Sequence, residues 1–261
     1  MGGVYDEAEA YELAFSYRNI ADEIDTILAW SGRHGLGTPG AVLELAAGPA
    51  DHALELARRG IAATAVDQNA TMCAYAERRA ADRRLALDVV CADMTNFDIG
   101  ERFDIALLML NSATHLLTLD ALLATLSSAA RQVRTGGIFV LENSHPGDFL
   151  TPESHTTTDW TARRPDLEVQ VQWGADSDPF DPIRQINRTT VRITRRRPGH
   201  PEVTTEQVMP ERLWTATELD AAVRLSGQWR TAGRYGTLSS PDVGLTDEGS
   251  WRMIHVLHRL A

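Results

Sequence analysis

The sequence predicts an α/β fold: a doubly wound, mostly parallel seven-stranded sheet with an antiparallel β insertion after strand five. Three observations carry that expectation. Short runs that are apolar at successive positions alternate with helical segments as far as Leu141, the pattern of a parallel sheet covered on both faces. Beyond Leu141 the period changes, and Leu167, Val169, Val171 and Trp173 alternate with Glu168, Gln170 and Gln172 as in a half-exposed strand. Apolar strand-like runs then return at Trp229 to Tyr235 and Trp251 to Leu257, which makes seven strands for the main sheet. With 261 residues, 43% of them hydrophobic, the chain is long enough to bury a full core.

The elements follow in order. Ile20, Ile24, Ile27 and Leu28 recur at helical spacing, so about Glu7 to Trp30 reads as one or two amphipathic helices. The first strand is Val42 to Leu45, followed by the small-residue turn Ala46-Ala47-Gly48-Pro49-Ala50 and a helix over Ala53 to Arg59. Further strands are expected at Ala62 to Val66, Leu87 to Cys91, Ile105 to Leu110 and Ile138 to Leu141. Between the last two lies a helix with Leu119, Leu122, Leu123, Leu126 and Val133 on one face, stopped by Gly136 and Gly137. Inside the insertion, Ile186 to Thr194 and Val203 to Met209 read as strands, with Pro198, Gly199 and Pro201 forming the turn between them. Thr215 and Glu218 form a capping box, and Gly227 ends the helix that it starts.

Composition narrows the function. A net charge of −11 and a pI near 5.2 argue against a surface that neutralises phosphates or anionic lipid, so neither nucleic acid nor a membrane is an expected partner. All 25 basic residues other than histidine are Arg, which hints at a GC-rich source rather than at chemistry. Two cysteines, Cys73 and Cys91, are too few for a disulfide framework and lack metal-type spacing, and no metal is expected. No apolar run approaches the roughly eighteen residues of a membrane span, and no basic-then-apolar leader opens the sequence, so a cytoplasmic setting is the expectation.

The most informative stretch is Ala41 to His52. A strand ending near an acidic residue, a tight turn and a helix start let backbone N–H groups approach a ligand closely. Asp67 closes the second strand, where α/β folds place a carboxylate that grips a ribose. Together Glu44, Asp67, Asp93 after strand three and Gly136-Gly137 before strand five resemble the class I S-adenosylmethionine-dependent methyltransferases of the small-molecule type. The resemblance runs from about Ala41 to Asn143 and implies a Rossmann-like core at 41–150. It further implies an N-terminal helical lid at 1–40, a β insertion at 160–212 serving as substrate cover or dimer contact, and completion of the sheet by 213–261. Ala46 and Asp51 depart from the glycines of a dinucleotide fingerprint.

The resemblance implies S-adenosylmethionine as cofactor. It places Glu44, Ala46 and Gly48 in the first loop, Asp67 and Gln68 on the ribose and adenine edge, and Met72 near the base. Asp93 and Met94 would flank adenine, Leu110 and Asn111 would follow strand four, and Tyr17 and Arg18 would approach the methionine carboxylate from the lid. His115 and His145 follow strands four and five at the carboxyl edge of the sheet and are candidate general bases, with His145 preferred because it borders the insertion. Trp173, Glu206, Arg212, Trp214 and Tyr235 are candidates to face a small-molecule substrate. The implied activity is methyl transfer to a nucleophilic N, O or C atom of a natural-product or amino-acid-like metabolite, by a protein that could be a homodimer. A nicotinamide-dependent oxidoreductase and a non-catalytic S-adenosylmethionine-binding protein remain as alternatives.

Overall fold

The computed structural model describes residues 3–100, 102–145, 147 and 158–261, and there the apolar runs pair into one seven-stranded sheet. Strands β1 (Ala41–Leu45), β2 (Ala62–Asp67), β3 (Asp88–Cys91), β4 (Phe103–Leu108) and β5 (Val133–Ser144) are parallel. With β11 (Trp229–Tyr235) and β12 (Arg252–Arg259) the order is β11-β12-β5-β4-β1-β2-β3, and β12 is antiparallel to both its neighbours. The connections diverge at β1 and β4, so their carboxyl ends open the crevice in which such sheets bind ligands.

Each strand divides its side chains between two layers. In β4, Ile105 and Leu107 join Ile24, Ile27, Trp30 and Leu56 under α2 (Ile20–His34) and α3 (Asp51–Arg58). Ala106 and Leu108 instead join Leu122, Leu126, Leu219 and Trp229 under α5 (Leu119–Gln132) and α6 (Ala216–Ser226). Helix α6 starts at the expected capping box, with Thr215 Oγ1 accepting from the Glu218 amide at 3.3 Å, and ends at Gly227 with φ of +65°. Helix α5 ends earlier than the sequence suggests. Val133 already begins β5, and Gly137 serves a close approach, since a Cβ there would lie 2.7 Å from the Asp104 carbonyl oxygen.

The insertion forms a second, antiparallel sheet of β6 (Thr158–Arg164), β7 (Leu167–Trp173), β9 (Ile186–Arg196) and β10 (Val203–Arg212), with the short β8 (Phe180–Asp181) paired to β9. Strand β6 was not anticipated, because Thr158, Asp159, Thr161 and Arg163 give it little apolar character. The sheet packs Val169, Val171, Val191, Ile193 and Met209 against Ala10, Leu13 and Ala14 of α1 (Ala8–Ala14). Trp160 Nε1 donates to the Ala14 carbonyl at 2.7 Å and ties the two together. The N-terminal helices therefore divide, with α2 in the core layer and α1 in the inserted sheet. Helix α4 (Ala70–Arg83) follows β2. Among the described residues no helix is long and apolar enough to cross a membrane.

One core histidine sets an acid limit on stability. His255 is 1% exposed and neither ring nitrogen has a hydrogen-bond partner among the described residues. Burial lowers its pKa to about 4, and the Arg234 charge adds to this while Asp220 opposes it. The unfolded chain takes up the proton near pH 6.5 and the folded chain does not, so stability present above about 6.5 is lost as pH falls toward about 4. The expected loss is on the order of 3 kcal/mol. Urea unfolding at both ends of that window measures it, and a His255→Met variant should lose the slope.

Candidate active site

A cavity of about 1310 Å³ opens at the carboxyl ends of β1 to β5 beneath α1 and the inserted sheet. Single-ligand pockets are roughly 300–1,000 Å³, so this one has room for two small molecules side by side. Ala46, Leu110 and Asn111 line it with φ of +48°, +50° and +63°. Left-handed backbone costs a residue with a Cβ about 1–2 kcal/mol, and such strain concentrates at functional sites.

Asp67 occupies the end of β2 on the cavity wall. Its Oδ2 accepts from the Gly48 amide at 2.7 Å and its Oδ1 from the Asn69 amide at 2.8 Å. Asn69, and not Asp67, caps α4 by accepting from Thr71 and Met72 at 2.8 and 3.0 Å. That leaves Asp67 turned to the cavity, each oxygen with a further lone pair to offer. Burial raises its pKa against the two N–H bonds, and the charge of Glu44 raises it further. Gln68, Met72, Asp93 and Met94 line the same region, and Asp93 Oδ1 also closes a turn by accepting from the Thr95 amide at 2.8 Å.

Below this wall runs a strip of buried charge. Arg252 Nε donates to Glu142 Oε1 at 2.7 Å, and Arg18 Nη2 donates to Glu142 Oε2 at 3.0 Å. Arg18 also grips Glu23 through Nε and Nη2 at 2.8 and 2.7 Å. His52 lies between Glu23 Oε2 at 2.8 Å and Glu44 Oε1 at 3.0 Å, while Glu44 Oε2 accepts from the Ala53 amide at 2.8 Å. Glu142 Oε2 takes the Leu110 amide at 2.7 Å, which helps hold the left-handed turn after β4. Burial opposes charge on Glu142, but Arg252 and Arg18 outweigh it and bring the carboxyl down to about 2. The same two effects compete at Arg18, where Glu142 and Glu23 win and raise its pKa. Beside the strip, Asn143 lines the cavity with both amide atoms buried and unpartnered among the described residues. Of the residues gathered here, the sequence singles out Arg18 and Glu44 and gives no sign of Glu23, Glu142, Asn143 or Arg252. The one local signal was His52, which stands in the first turn of the helix that follows Glu44.

Of the two candidate bases, only His115 reaches the cavity. Its Nε2 lies 2.8 Å from the Tyr5 hydroxyl. Burial lowers the pKa of His115 and raises that of Tyr5, so a neutral ring accepts from a protonated phenol. His145 corrects the sequence reading: its ring turns away, with Nδ1 accepting from the Gly147 amide at 3.1 Å and Nε2 3.4 Å from the Leu245 carbonyl.

Trp173, Arg212 and Trp214 line the cavity. Arg212 stacks 3.8 Å over the Trp214 ring, whose Nε1 donates to the Ala113 carbonyl at 3.0 Å. Glu206 and Tyr235 do not face it. On β10 the even positions Glu206 and Val208 point to solvent, where Glu206 pairs with Arg192 at 2.5 Å. Tyr235 stacks on Trp30 at 4.4 Å within the core under α2. From β10 the cavity takes Glu211 together with Arg212, both at the strand's end. Burial raises the Glu211 pKa against hydrogen bonds from Thr189 and Trp173, and the charge of Asp178 raises it further. Tyr17 lines the cavity rim while remaining 67% exposed.

Residues 42–137 match the model of a methyltransferase domain. Among solved structures, the chain is similar to an S-adenosylmethionine-dependent methyltransferase from Clostridium acetobutylicum, at 15% identity, 96% coverage of each chain and a TM-score of 0.76. It is similar to DesVI of Streptomyces venezuelae at 20% identity, with 95% of this chain and 97% of that one covered and a TM-score of 0.76. A sugar N-methyltransferase from Streptoalloteichus matches at 20% identity, covering 100% of this chain and 94% of that one with a TM-score of 0.74. No curated protein sequence matches the chain.

Proposed function

We propose that this chain, whose residues 42–137 match a methyltransferase domain, is a class I S-adenosylmethionine-dependent methyltransferase whose acceptor is an amino nitrogen on a small polar molecule. The cofactor, S-adenosylmethionine, supplies when bound a methyl group made electrophilic by its sulfonium. The residues present suit it. Asp67 offers paired acceptors for vicinal hydroxyls, Asn143 offers a donor and an acceptor without partners among the described residues, and Asp93 and Met94 offer an edge for a base.

The observation that carries the amine reading is the wall supplied by the insertion. Glu211 and Asp178 stand there with Trp160 and Trp173, a setting of carboxylates and aromatic faces that favours a cation over a neutral hydroxyl. Similarity to a sugar N-methyltransferase supports the same reading. An ammonium must lose a proton before its nitrogen can attack. The Tyr5 hydroxyl provides a path, taking that proton as it passes its own to His115 Nε2. The rest of the task is alignment of nucleophile and methyl carbon in the cavity beneath α1 and the inserted sheet. Turnover of matched small amines and alcohols, read by mass spectrometry, tests this. Amines are expected to react and alcohols not, and the reverse order would overturn the amine assignment.

The cofactor assignment predicts that Asp67→Ala weakens S-adenosylmethionine binding by roughly 2 to 4 kcal/mol, since it removes charge-assisted hydrogen bonds. It also leaves the Gly48 amide without its acceptor. Calorimetry on the folded variant measures the change, and unaltered affinity would remove Asp67 from the site.

A further inference from the structure

We propose that His52 is a positioning residue of the cofactor site, an imidazolium that ties Glu44 at the end of β1 to Glu23 of α2 and thereby holds Arg18 and Glu44 at the cavity wall. The inference rests on the cofactor reading above. His52 is 4% exposed and touches carboxylate oxygens through both ring nitrogens, at 3.0 and 2.8 Å. Carboxylates only accept, so both contacts are hydrogen bonds only when both nitrogens carry protons. The charge count agrees. Arg252, Arg18 and His52 face Glu142, Glu23 and Glu44, and every one of these side chains is at most 13% exposed.

Loss of the imidazole proton would turn a ring lone pair toward a carboxylate and leave the strip with one uncompensated negative charge. Either carboxylate, if displaced, moves a cavity residue. Glu23 holds Arg18 through both of its oxygens, and Glu44, itself on the cavity wall, caps α3 through the Ala53 amide. The other charged groups of α3 are paired elsewhere: Asp51 with Arg79, and Glu55 with Arg58 and Arg59. Burial and the Arg18 charge oppose the imidazolium, yet hydrogen bonds to Glu23 and Glu44 and the Glu44 charge raise its pKa to about 9. A folded pKa above the unfolded value means that the strip is intact through neutral pH and opens as pH rises through about 9.

The test pairs two measurements on the full chain. Binding of S-adenosylhomocysteine is followed by calorimetry from about pH 7 to about pH 10 in the wild type and in His52→Gln, and the imidazole nitrogens of the unliganded wild type are titrated by NMR. The wild type should lose about tenfold more affinity than the variant by one pH unit above the folded pKa. The variant should already bind about tenfold more weakly near pH 7, and the wild-type ring should carry both protons there. Equal affinity and equal pH slope in the two proteins, or a ring that titrates near pH 6.5, would overturn the proposal. If the variant does not unfold cooperatively, the NMR titration decides by itself. A wild type that binds no S-adenosylhomocysteine at any pH would instead refute the cofactor reading, leaving the titration to judge the strip.

Discussion

Replacing His115 with alanine is expected to lower turnover by about 10² to 10⁴ while changing cofactor affinity little. The expectation rests on one contact, the 2.8 Å separation of Nε2 and the Tyr5 hydroxyl at the cavity. A buried ring whose pKa is lowered stays unprotonated below the ordinary histidine range, so the base form persists through mildly acid conditions. The acid limb of kcat/KM should therefore fall below about pH 6.5 if this ring sets it. Tyr5→Phe removes the hydroxyl relay and keeps the tilted ring contact between Tyr5 and Tyr11, so it should reproduce most of the His115→Ala defect without disturbing the roof of the cavity. A loss below about tenfold in both variants would show that alignment alone carries the reaction.

Glu142→Gln is expected to destabilise the fold by about 3–5 kcal/mol, because Arg18 and Arg252 would remain buried with half of their countercharge removed. The amide can still accept from the Leu110 N–H, so the turn after β4 keeps its partner and the loss reports the charge. Urea unfolding near pH 7 measures it, and a change under about 1 kcal/mol would show that the strip does not hold the strand ends together. The sign with pH is opposite to that of His52. A carboxyl lowered to about 2 contributes stability above the ordinary carboxylate pKa and loses it as pH falls through about 2.

The strands, the capping box at Thr215 and the change of period after Leu141 were legible in the sequence because each is a local pattern of neighbours along the chain. Asp67 was legible for a related reason: a carboxylate at the end of an apolar run stands at the rim of a parallel sheet whatever else packs around it. Side-chain direction was less secure. Glu206 and Glu211 lie five positions apart, on opposite faces of β10, and of the two Glu211 lines the cavity.

The layered α/β architecture and the carboxylate-lined edge are therefore written in local sequence, since helix and strand periods and strand-end residues need no knowledge of distant segments. Only the packing of distant segments shows which histidine faces the cavity. His145 turned to the Leu245 carbonyl, and His115 met Tyr5 from a segment 110 positions earlier. It alone also assembled the charged strip, because Arg18, Glu23, Glu44, His52, Glu142 and Arg252 come from separate elements. Their meeting in one buried row depends on how α2, α3, β1, β5 and β12 pack, and only that packing removes the water that would otherwise leave each charge independent of the others.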